Sequence, residues 1–96
     1  MSLNTISDVL EVHKKMMSGE GRFNPRYNSI WKTLLKHFGN LNIYEVPKYV
    51  VNNYYNEQSE ARNVKKQTLS REIAMINASF NYCYNNEYLN VKPRAL

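Results

Sequence analysis

From Arg62 to Pro93 the chain reads as one long helix, basic where it begins and apolar along a single side. Leu69, Ile73, Ile76, Phe80 and Cys83 recur at spacings of three and four residues. At about 100° per residue they fall within roughly a quarter of the circumference. A strand, whose side chains alternate with a period of two, would scatter these five residues over both faces. Gln67, Arg71, Ala74 and Ala78 occupy the opposite pole. A helix of this kind must bury its stripe against other elements and leaves a donor-bearing pole that a flat or charged partner can approach.

The remainder of the chain supplies partners for that stripe. Ninety-six residues make one domain and bury about two thirds of their unfolded surface, sufficient for one core. A hydrophobic fraction of 43% with eight tyrosines and a tryptophan argues against disorder, while a mean hydropathy of −0.64 demands a very polar surface. Four helical segments are expected and no strand pair. The first spans about Thr5 to Ser18, capped by Thr5 or Ser7 and stopped by Gly19-Glu20-Gly21. The second spans Pro25 to Phe38 with a core stripe of Tyr27, Ile30, Trp31, Leu34, Leu35 and Phe38, and Gly39 suits the left-handed position after its last turn. Pro47 opens a third that reaches Gln58 through Val50, Val51 and Tyr54. Ser59 to Asn63 reads as a loop, and the fourth helix runs from Val64 to Asn86. Residues 1–4 are expected to be a disordered or expression-derived N-terminus.

No constellation for catalysis is complete. Two histidines, His13 and His37, and the single cysteine, Cys83, cannot assemble a tetrahedral zinc site, and no glycine-rich phosphate loop exists. The expectation is therefore no catalytic residue, no metal and no cofactor. His13 and Cys83 read as packing residues on apolar faces. Asn24-Pro25-Arg26-Tyr27 reads as a helix opening, and the Asn77-Ala78-Ser79 glycosylation pattern falls inside a helix. No apolar run is long enough to cross a bilayer and no signal pattern opens the chain, so a cytosolic protein without a membrane partner is expected.

Charge is the informative property. The net charge is +5, and residues 61–96 hold six Lys/Arg against two Asp/Glu, whereas residues 1–60 hold seven against six. Such asymmetry points to a polyanionic partner. Lys32 and Lys36, with Ser29 and Thr33, line the outer side of the second helix; Lys65, Lys66, Gln67, Thr68 and Arg71 gather where the fourth begins. A helix N-terminus adds partial positive charge and N–H groups suited to phosphate. Most such contacts would position a duplex, and only Gln67, Arg71 and Lys32 have the shape or reach to read base edges.

Thr68-Leu-Ser-Arg71-Glu-Ile73-Ala-Met-Ile76-Asn-Ala-Ser-Phe80-Asn-Tyr82-Cys83, followed by Asn86-Glu-Tyr-Leu89-Asn-Val-Lys-Pro93, resembles the end of the core-binding domain of tyrosine recombinases, the phage-integrase group. That family presents in this order a threonine, an arginine three residues on, an apolar stripe, a phenylalanine, a Tyr-Ala-like pair and a terminal Asn-Pro. The earlier half agrees, with an opening helix, an aliphatic and aromatic helix ending in His37-Phe38-Gly39, then Leu-x-Ile and a turn at Glu45-Val46-Pro47. Lys92 stands where the family commonly has Asn, and Cys83 where it has alanine. The resemblance covers roughly residues 5–93.

The resemblance implies an all-α, small four-helix orthogonal bundle of the SAM-like core-binding kind over residues 5–91, with 92–96 starting a linker to a catalytic domain. It implies a nucleoid-associated DNA-binding domain, itself without enzymatic activity, of a DNA-cleaving and rejoining site-specific recombinase. The implied partners are double-stranded DNA, the catalytic domain of the same full-length protein, and recombinase protomers in a synaptic tetramer. Lys32, Lys36, Lys65, Lys66, Gln67, Thr68 and Arg71 are the expected DNA contacts, with Ser29, Thr33, His37 and Arg62 secondary. The competing expectation is a helical protein-interaction module whose basic face meets an acidic partner.

Overall fold

The computed structural model describes residues 3–21 and 24–96. Four α-helices appear there: α1 (Ile6–Gly19), α2 (Asn28–Phe38), α3 (Lys48–Arg62) and α4 (Lys66–Asn85). A 3-10 turn over Pro25–Tyr27 leads into α2. No strand occurs among the described residues, only an isolated bridge between Thr5 and Asn42.

α1 begins at a reciprocal cap. The Asp8 N–H donates to Thr5 Oγ1 (3.3 Å), and the Thr5 and Asn4 N–H groups donate to Asp8 Oδ2 (3.1 and 3.0 Å). The next two orphan donors of this helix, Ile6 and Ser7 N–H, reach the carbonyls of Leu41 and Gly39, each at 3.0 Å. The Asn40–Pro47 connection thereby runs beside the start of α1, with Ile43 buried and its N–H bonded to Asn4 O. Leu3, within the segment expected to be disordered, is buried as well.

The core follows the expected stripes, except that Ile30, Val50 and Val51 are only partly buried against it and Tyr27 and Leu35 are exposed. Ile6, Val9 and Leu10 of α1, Trp31, Leu34 and Phe38 of α2, and all five stripe residues of α4 are buried. Tyr27 is 46% exposed because the α-helical phase begins only at Asn28, and Leu35 is 39% exposed at the edge of its stripe. Gly39 adopts φ −55°, not the expected left-handed conformation. Its glycine is required by space, since a Cβ there would collide with the Leu35 carbonyl oxygen.

α3 continues through Ser59–Arg62, which had read as a loop, and it is Asn63, at φ 51°, that takes the left-handed position before α4. The last turn of α4 closes with Glu87 at φ 66°, Tyr88 N–H on Cys83 O and Glu87 N–H on Tyr84 O. This pair of bonds reverses the chain. The tail then lies on the bundle: Leu89 and Pro93 are buried, Tyr44 Oη donates to Val91 O (2.9 Å), and Leu96 N–H donates to Asn77 Oδ1 (2.8 Å).

Candidate nucleic-acid interface

The start of α4 lacks the usual device for a helix N-terminus. Lys65 occupies the N-cap, no side chain caps the first turn, and that turn contains no acid. Lys65, Lys66, Gln67, Thr68 and Arg71 are all exposed. Positive side chains here oppose the positive end of the helix dipole, an arrangement that costs stability unless an anion is supplied. Lys66 is steered by an aromatic ring, its Nζ standing 5.7 Å from the centroid of Tyr55. Tyr55 is fixed in turn by a 2.9 Å hydrogen bond between its hydroxyl and Ser70 Oγ.

The one acid in the first two turns of α4, Glu72, points inward. It is 4% exposed, accepts two hydrogen bonds from the Arg62 guanidinium (2.6 and 3.0 Å) and one from the Tyr54 hydroxyl (2.5 Å). Tyr54 is fully buried; burial and the neighbouring carboxylate both raise its pKa above the ordinary phenol value. Hydrogen bonding to Glu72 likewise raises that of Arg62. Arg62, a secondary DNA contact on the sequence reading, has its guanidinium tie the last turn of α3 to α4. The consequence for the surface is electrostatic. With the Glu72 charge met inside, Lys65 and Arg71 form no ion pair with any described acid.

The α2 strip is simpler. Lys32, Lys36 and Ser29 are exposed. Thr33 is half-buried and its hydroxyl donates to Ser29 O (2.9 Å), so it serves its own helix. His37 turns toward α3, edge-on to Tyr54, with Gln58 Nε2 at 3.3 Å and Glu57 Oε2 at 3.6 Å. It therefore belongs to the α2–α3 contact and not to the lysine strip. Sequence reading has Tyr54 on the packed side of the third helix but misses the bond of its hydroxyl to Glu72, and misses Tyr55 and Glu72. Glu72 had a local signal, because Leu69, Glu72 and Ile76 are spaced by three and four; the tyrosine partners, 18 and 15 residues from Glu72 and Ser70, had none.

Arg71 and Thr68 also edge an apolar groove of about 420 Å³ between α1, the 3-10 turn with the start of α2, and α4. His13 lines it, with Nδ1 2.8 Å from Ser79 Oγ and its ring stacked on Tyr82. Ser79 Oγ donates to Met75 O (3.0 Å), so the imidazole is a packing group at the groove's inner edge. Cys83 is fully buried, and burial pushes its thiol up to about 11. Among the described residues no group of three or more His, Cys, Asp or Glu could hold a metal, and no helix is long and apolar enough to cross a membrane. No family model matches the chain, and neither curated proteins nor solved structures show a significant match.

Proposed function

We propose that this chain is a duplex-DNA-binding domain, the SAM-like core-site clamp of a site-specific tyrosine recombinase, with strand cleavage carried out by a separate catalytic domain. On this reading the four helices form the family's orthogonal bundle and the domain works at the nucleoid, within a tetramer of recombinase protomers on DNA. The observation that carries it is the acid-free start of α4, where Lys65, Lys66, Gln67, Thr68 and Arg71 surround a helix N-terminus that no side chain caps. A phosphate would relieve both the dipole conflict and the orphan donors. Lys32 and Lys36 supply a second set of phosphate contacts from α2, and Gln67, Arg71 and Lys32 are the side chains able to reach base edges.

The test is fluorescence anisotropy with a labelled duplex across a salt series. If six phosphates are neutralised, the logarithm of the affinity falls against that of salt with a slope of about −5. Lys65→Glu combined with Arg71→Glu weakens binding while the melting temperature does not fall, since both side chains lie off the apolar stripe and acids here ease the dipole conflict. Undetectable or salt-insensitive binding at low ionic strength overturns the reading.

A further inference from the structure

We propose that the groove between α1, α2 and α4 receives an acidic amphipathic helix from a protein partner. Its walls are Met17 of α1, Tyr27, Ile30 and Trp31 beside the start of α2, and Met75 and Ala78 of α4. Along α4 the groove extends from Thr68 to Ala78. Ten residues at 1.5 Å rise make it about 15 Å long, enough for two to three turns of helix anchored at i, i+3 or i+4, and i+7. A compact small molecule would leave most of that length uncovered. Methionines on two of the walls let the surface adapt to the anchors it meets.

Charge selects the sign of the partner. Glu72 is the sole acid among the described residues that line the groove, and Arg62 and the Tyr54 hydroxyl engage it from within. Arg71 stands at the edge with no described acid as partner, so a glutamate flanking the apolar anchors of an incoming helix would complete a bidentate pair. A second copy of this chain fits poorly, because each copy carries +5.

Trp31 is the only tryptophan and lies in the wall, so its emission reports occupancy. The probe is a designed, end-blocked peptide of about 18 residues with leucines at i, i+4 and i+7 and flanking glutamates. Its lysine-for-glutamate counterpart and anilinonaphthalene sulfonate, a small aromatic anion, serve as the other arms. The acidic peptide is expected to shift Trp31 emission saturably, with binding weakened about tenfold or more, a loss of about 1.4 kcal/mol, by Met17→Glu, by the exposed-site variant Ala78→Glu, and by replacing its glutamates with lysine. Both variants are checked for native circular dichroism, and Ala78→Glu retains the test if Met17→Glu fails to fold. No saturable response, equal affinity for both peptides, an affinity unchanged by the folded variants, or a response to the small anion alone each overturns the proposal. No nucleic acid enters the titration, so its outcome is independent of the duplex-binding reading.

Discussion

Glu72 shows how one buried charge can shape the surface around it. Its carboxylate holds Arg62 and Tyr54, and removing it leaves a buried hydroxyl and a guanidinium without their acceptor. Because the Arg62 side chain is 33% exposed, water replaces part of what is lost. Glu72→Ala should therefore cost about 2 kcal/mol, below the 3–5 kcal/mol of a fully buried pair. For a domain of this size that lowers the melting temperature by roughly 8–16 °C in a calorimetric scan. Asp8 acts at the other end of the molecule. The Asn4 and Thr5 N–H groups hold its carboxyl below the ordinary aspartate range. A depressed folded-state value means that the stabilisation is present above about pH 4 and is lost as pH falls through the lower, folded value. Asp8→Asn should thus cost roughly 0.3–1 kcal/mol at pH 7, and thermal melts should show the gap from the parent protein narrowing as pH falls below the ordinary aspartate range.

At the scale of elements, the start of α4 sets stability against recognition. An N-cap that can accept a hydrogen bond and carries negative charge would satisfy a first-turn donor and the dipole together. Lys65→Asp is therefore expected to stabilise the domain by about 1 kcal/mol, raising the melting temperature by roughly 4–8 °C, and to weaken duplex binding in the same preparation. A lower melting temperature would mean that Lys65 stabilises the fold. The helices themselves were legible because stripes such as Leu69, Ile73, Ile76, Phe80 and Cys83 are local patterns, and so was the cluster of donors at Lys65–Arg71. The end of α3 was not. Ser59–Arg62 carries no apolar residue except Ala61, and what holds it helical is a contact between Arg62 and a carboxylate ten residues on. Such a contact is written in space, beyond the reach of helical spacing. For the same reason Arg62 and His37 looked like surface donors although Glu72 and the α3 residues Glu57 and Gln58 engage them.

At the scale of the whole molecule, residues 87–96 fold back on the bundle. The resemblance implies that residues 92–96 begin a linker leading out of the domain. In the structure Glu87, in the left-handed region, turns the chain, and Pro93 is buried behind it. Leu96 comes to rest by the Ile43–Asn52 segment, tied by its N–H to Asn77 of α4. The tail thus joins α4 to the connection that borders α1, a long-range closure made by one side-chain acceptor and a few apolar contacts. Asn77→Ala deletes the acceptor while Leu89 and Pro93 continue to pack. The expected cost is about 1 kcal/mol or less, the net worth of one partly exposed hydrogen bond. Hydrogen exchange gives the sharper readout, because local opening of the tail does not require the bundle to unfold. The Leu96 amide should lose its protection in Asn77→Ala, while amides in the middle of α4 keep theirs. Equal protection in both proteins would show that apolar packing alone holds the tail, and a uniform loss across α4 would make Asn77 a determinant of the core.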